Sequence, residues 1–89
     1  MVEKQFTITD VAGVHARPAS ALVGSLAKFS SDITLEHKGK KVNLKSILGV
    51  MSLGIPSGSV VTIAADGADE NEALAKITEV MAAEGISNQ

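Results

Sequence analysis

The sequence predicts a small α+β fold: an open-faced sandwich in which three helices cover one face of a four-stranded, mainly antiparallel sheet, in the order β-α-β-β-α-β-α. Three observations carry this expectation. Apolar residues alternate with period two in several short segments, and they recur at i, i+3 and i+4 in others. The two kinds of segment interleave along a chain of 89 residues. That length holds one core, so a single domain over residues 1–89 is expected.

Val2, Phe6 and Ile8 share one parity, with Lys4 the exception, and read as a half-buried strand. From Ala16 the period changes. Ala19, Leu22, Val23, Leu26 and Ala27 follow the spacing of a helix with one inward face, which "SSD" at 30–32 should end. Ile33, Leu35 and His37 alternate, "KGK" turns, and Val42 with Leu44 continues, which makes a hairpin without fixing its turn type. Ile47, Leu48 and Met51 form a short helical stripe bounded by Gly54, and "IPSG" at 55–58 is a turn. Val60 to Ala65 reads as a buried strand. The last helix follows "ADGADE": Asp69 with Glu72 has the form of a capping box, Leu74, Ile77 and Met81 should face inward, and Gly85 should stop it. The tail "ISNQ" is generic.

Composition narrows the function. Hydrophobic residues are 45% of the chain, enough for a core. The chain has no cysteine, which excludes disulfides, thiolate catalysis, iron–sulfur clusters and cysteine-based zinc sites. A domain this small without staples fits a reducing cytoplasm. The opening "MVEKQFTITD" lacks the apolar core of a signal peptide, and no membrane insertion is expected. Net charge is −2, unevenly spread: Lys38, Lys40, Lys41 and Lys45 cluster mid-chain with Arg17 earlier, while Asp66, Asp69, Glu70, Glu72, Glu79 and Glu84 gather late. Two Phe, with no Tyr or Trp, fall short of the stacking aromatics of an RNA-binding sheet, so direct nucleic-acid binding is not expected. A basic face meeting an acidic protein is the better match.

The chemistry concentrates in "GVHARPAS" at 13–20. If the first helix starts near Ala16, His15 stands at its N-cap, where histidine ranks well behind Ser, Thr, Asp and Asn. Pro18 fits a first turn, although it disfavours helical geometry at Arg17. A helix start offers unpaired N–H donors and positive potential, an anion site to which Arg17 adds a planar fork suited to phosphate oxygens. In that field an imidazole is favoured neutral and nucleophilic near pH 7. These parts suit a histidine that accepts a phosphoryl group. Most lone histidines are merely solvated, and a His-x-Arg pair alone is a weak signal. His15 and His37 supply too few ligands for a metal, and no cofactor is expected. His37 lies on the apolar parity of its strand and reads as structural.

"GVHARPAS" resembles the active-site motif of HPr, the histidine-containing phosphocarrier family of the bacterial phosphoenolpyruvate:sugar phosphotransferase system. The likeness spans essentially the whole chain and includes a second motif, "LKSILGVMSLG" at 44–54, similar to the Gram-positive branch. His37 departs from it, standing where an aromatic residue is expected. The resemblance implies that His15 is phosphorylated through Nδ1 and that Arg17 neutralises the bound phosphate. It implies that enzyme I supplies the phosphoryl group and that sugar-specific IIA domains receive it, the chain being a carrier and not an autonomous enzyme. It also implies that Ser46 is phosphorylated by an HPr kinase/phosphorylase, in a form that binds a catabolite-control transcription factor. Read from the residue alone, Ser46 is a helix cap.

A helix as short as "ILGVM" cannot bury every apolar residue on one face. An exposed patch of Ile47, Leu48 and Met51 is therefore expected, with Ser20 and Lys45 beside it as further partner contacts. A monomer is the simplest expectation. Rivals fare worse. A purely regulatory paralogue would lack the acceptor histidine, and a nitrogen-related homologue would lack the second motif. A ligand- or RNA-binding module would need a ligand-lining loop or stacking aromatics. A phosphatase or kinase would need metal-binding carboxylates or a Gly-rich phosphate loop.

Overall fold

The computed structural model describes residues 1–87, so Asn88 and Gln89 of the tail lie outside the described residues. The elements are β1 (Val2–Thr7), α1 (Ala16–Ser25), β2 (Asp32–His37), β3 (Lys40–Asn43), α2 (Ile47–Ser52), β4 (Val60–Asp66) and α3 (Glu70–Ala83). The sheet order is β1-β4-β2-β3 and every pairing is antiparallel, as in Phe6 with Val61 and Leu35 with Ile63. The predicted fold class is the observed one.

Strand alternation sets the two faces. Phe6, Ile33, Leu35, Val61, Ile63 and Ala65 are buried beneath the helices, while Glu3, Gln5, Thr34, Glu36 and Thr62 take the opposite parity on the uncovered face. Val60 lies on that uncovered parity and is 53% exposed, so β4 alternates where a continuously buried run was expected. His37 follows the core parity and is buried, its Nε2 without a hydrogen-bond partner. The β2–β3 loop is Lys38-Gly39, both at positive φ (50° and 80°), as a type I′ hairpin turn demands.

Three details differ from the sequence reading. α1 stops at Ser25, short of the expected 30–32. Ser25 bonds back to the Leu22 carbonyl through its hydroxyl, and Gly24 and Ser25 are weak helix formers. Leu26 is still buried just past the end, but Ala27 is exposed. In α2 the inward residue is Val50, fully buried, with Ile47 only partly so. At α3 the capping box does not form. Asp69 makes no side-chain cap and instead accepts from Ser30 N–H at 2.9 Å, from Ser31 N–H at 3.0 Å and from the Ser31 hydroxyl. Glu70 covers part of the helix start by accepting from Gly67 N–H at 3.1 Å.

α3 places Ala73, Ile77 and Met81 in the core, with Leu74 packed at its edge. Gly85, at φ 68°, ends it as expected: Gly85 N–H donates to the Ala82 carbonyl and Ile86 N–H to the Met81 carbonyl, a Schellman motif that buries Ile86.

Candidate functional site

The loop between β1 and α1 is held from both sides. Thr9 N–H donates to the Ile86 carbonyl at 2.8 Å, which ties the loop to the chain just past α3. Asp10 then makes a turn of its own: its Oδ1 accepts from Ala12 N–H at 2.9 Å and its carbonyl from Gly13 N–H at 2.8 Å. Gly13 has φ 71°, and a Cβ there would lie 2.3 Å from the Ile55 carbonyl oxygen, so only glycine fits. Val14 N–H donates to that same carbonyl at 2.9 Å. These contacts deliver His15 in extended backbone to the N-cap of α1.

The helix start is as the sequence suggested. His15 makes no side-chain cap, and the first helical bond runs from Ala19 N–H to the His15 carbonyl at 3.0 Å. Pro18 has no N–H to give. The amides of Ala16 and Arg17 donate to nothing among the described residues, so two backbone donors stay available at the positive end of α1. The His15 side chain is 43% exposed. Arg17 is exposed, with no ion pair among the described residues, and shares an open depression with His15, Asp10, Pro18, Ala83 and Glu84. His15 Nε2 lies 3.4 Å from Asp10 Oδ2.

His15 and Arg17 therefore come together. Ser46 and the α2 residues do not line this depression, although α2 packs against α1 and the segment following it supplies the Ile55 carbonyl that fixes Gly13 and Val14. Ser46 is the N-cap of α2, and its Oγ accepts from Gly49 N–H at 3.2 Å. Leu48 is 81% exposed and Met51 36%; Ser20 is exposed on α1. Lys45 is only half-exposed, and its Nζ donates to the Phe29 carbonyl at 2.6 Å, so its cation also closes the α1–β2 connection. Asp10 and Glu84 were missed by sequence reasoning. The Asp-x-Ala-Gly spacing of an Asx turn just before the histidine was the available signal for Asp10. Nothing local could have placed Glu84, which arrives from the far end of the chain.

A family model described as the PTS HPr component phosphorylation site matches residues 2–83. The histidine-containing phosphocarrier protein of Mycoplasma is 41% identical, with a TM-score of 0.96 over 99% of this chain and 100% of that one. HPr of Bacillus anthracis is 42% identical, with a TM-score of 0.82 over 89% and 94% of the two chains. Crh, the catabolite repression protein of Bacillus subtilis, is 44% identical, with a TM-score of 0.73 over 94% and 97%. Fold and likeness place the chain among the phosphocarriers of the phosphotransferase system. Within them it belongs to the HPr family. The Crh structure is a swapped dimer, so membership does not by itself make this chain a monomer. Among the described residues no helix is long and apolar enough to cross a membrane.

Proposed function

We propose that His15 accepts a phosphoryl group on Nδ1 from phospho-enzyme I and passes it to sugar-specific IIA domains. In this reading the chain acts in the cytoplasm as a single unit over residues 1–89, a covalent carrier and not an autonomous enzyme. The observation that best supports it is the pairing of a half-exposed imidazole with two undonated amides and an unpaired guanidinium at one helix start. Phosphoryl transfer asks mainly for positioning and charge neutralisation, and both are supplied there without a closed pocket. Arg17 would grip the phosphate oxygens alongside the Ala16 and Arg17 amides.

Leu48 and Met51, with Ile47, Ser20 and Lys45 around them, would form the face on which enzyme I and the IIA domains dock. Phosphorylation of Ser46 by an HPr kinase/phosphorylase would modulate that face and favour binding to a catabolite-control transcription factor. The test of the carrier reading is incubation with phosphoenolpyruvate and enzyme I, followed by intact mass and peptide mapping. One phosphoryl group on His15, lost in mild acid and kept in alkali, is expected. Label mapped to His37 would overturn the assignment.

A further inference from the structure

We propose that Asp10 is a positioning residue for this transfer: its carboxylate holds the imidazole proton on Nε2, so that Nδ1 keeps its lone pair for attack on phosphorus. The inference rests on His15 being the acceptor. Asp10 is aimed by its own backbone. Its Oδ1 is engaged by Ala12 N–H and its carbonyl by Gly13 N–H, which leaves Oδ2 as the oxygen facing the ring, 3.4 Å from Nε2. An ionised carboxylate only accepts hydrogen bonds, so the ring nitrogen that faces it is the one favoured to carry hydrogen. Contacts of this kind are often long before the partner binds and tighten on the reaction path. The other charged groups around the ring are Arg17, from α1, and Glu84, from the end of α3. Arg17 has no acceptor, and Asp10 is the carboxylate in ion-pair range of the ring among the described residues.

The transfer then needs no proton movement on His15. The Nδ1 lone pair forms the N–P bond while the bond from phosphorus to the donor breaks, and the donor keeps that electron pair. The ring becomes a phosphoimidazolium whose Nε2–H faces Asp10. On delivery the acceptor's nucleophile bonds to phosphorus, the N–P pair returns to Nδ1, and Nε2–H is unchanged. A carboxylate at that position stabilises the cationic ring and so keeps Nδ1 a neutral leaving group.

Asp10→Asn and Asp10→Ala separate this role from turn formation. In the Asn variant Oδ1 can still accept from Ala12 N–H, which leaves the amide NH₂ to donate to Nε2 and push the ring proton onto Nδ1. The Ala variant loses the turn bond but imposes no tautomer. Two readouts apply: ¹⁵N spectra of histidine-labelled protein, and initial phosphorylation rates with enzyme I and phosphoenolpyruvate. The wild type should show the Nε2–H tautomer of His15, with Nδ1–H gaining in Asp10→Asn. Rates should fall in the order wild type, Ala, Asn, with the Asn variant slowed at least about tenfold, the direction in which a wrong tautomer acts. A slowed Ala variant beside an unimpaired Asn variant would show that Asp10 only builds the turn, and a wild-type ring without the Nε2–H preference would equally overturn the proposal. If even the wild type took no phosphoryl group, the carrier reading would fail, while the ¹⁵N spectra would still decide what Asp10 does to the ring.

Discussion

At the start of α1 the N-cap is His15, with φ −104° and ψ 179°; at the start of α2 it is Ser46, with φ −111° and ψ 113°. Both residues are extended, as caps are, and both follow loops pinned by asparagine-type turns, Asp10 with Ala12 in one and Asn43 with Lys45 in the other. The fillings are opposite. Ser46 spends its hydroxyl oxygen on Gly49 N–H, whereas His15 caps nothing and Pro18 removes a donor outright. The ordinary cap stabilises its helix; the poor one leaves amides and an imidazole for something outside the fold. A side chain that fails at the structural job its backbone position offers is a better pointer to function than its residue type.

The largest effect should come from making the two caps alike. His15→Ser is expected to abolish phosphorylation by enzyme I and to raise stability by about 0.5–1 kcal/mol, because the new hydroxyl can accept from the Arg17 amide. Mass spectrometry and a thermal melt check both halves. An unstable variant would mean that His15 carries structural weight after all.

Next comes the division between chemistry and docking. Arg17→Ala should slow transfer by roughly ten- to a hundredfold with little change in affinity for enzyme I, as expected for a charge that acts mainly on the transferring phosphate. Met51→Asp should do the reverse, by placing a charge on the α2 face. Titration and single-turnover rates distinguish them, and unchanged affinity for Met51→Asp would remove Met51 from the docking surface.

Ser46 follows. Ser46→Ala should cost about 1 kcal/mol through the lost cap. Ser46→Asp keeps an acceptor and adds charge where free amides favour it, so the melting temperature should hold or rise. Phosphorylation of His15 by enzyme I should nevertheless fall severalfold, through repulsion of an acidic partner, and raised salt should narrow the gap because exposed charges are screened over roughly 8–10 Å. Equal rates at low salt would leave Ser46 an ordinary cap.

The two caps also mark what the sequence could disclose. Period-two and period-3.6 patterns placed all seven elements, because the burial they encode, such as Phe6 opposite Val61 and Ile77 over the sheet, is written locally. His15 and Arg17 were legible because a helix start is a local feature. Val50 was passed over as the inward residue of α2 because one turn and a half gives too few points to fix the phase of a stripe. Asp10 beside His15 needed the turn to be folded first. Asp69 was assigned to its own helix because spacing shows nothing of Ser30 and Ser31, which reach it only when β2 lies beside β4.

Asp69 supplies the smallest expected effect and a third kind of cap, one whose side chain leaves its helix to tie two segments together. The Ser31 hydroxyl, followed by the Ser30 amide, holds its carboxyl down from 3.8 to about 2. Because the folded value lies below the unfolded one, this contribution is complete above about pH 3.8 and is lost as pH falls towards about 2. Glu70, lowered chiefly by the Gly67 amide, and Glu79, lowered chiefly by Lys76, act in the same direction. Some acid sensitivity will therefore survive any change at Asp69. In Asp69→Asn the amide can keep an acceptor towards the Ser31 hydroxyl but has no charge to lose. Its melting temperature should start lower than wild type near neutral pH and the two curves should converge as pH drops from about 4 to about 2. Phosphoryl acceptance at neutral pH should be unchanged, since Asp69 lines no part of the His15 depression. Melts across that range decide the matter: curves that stay parallel down to about pH 2 would show that the Ser31 tie draws nothing from the carboxylate charge, and the acid dependence of the fold would then belong to Glu70 and Glu79.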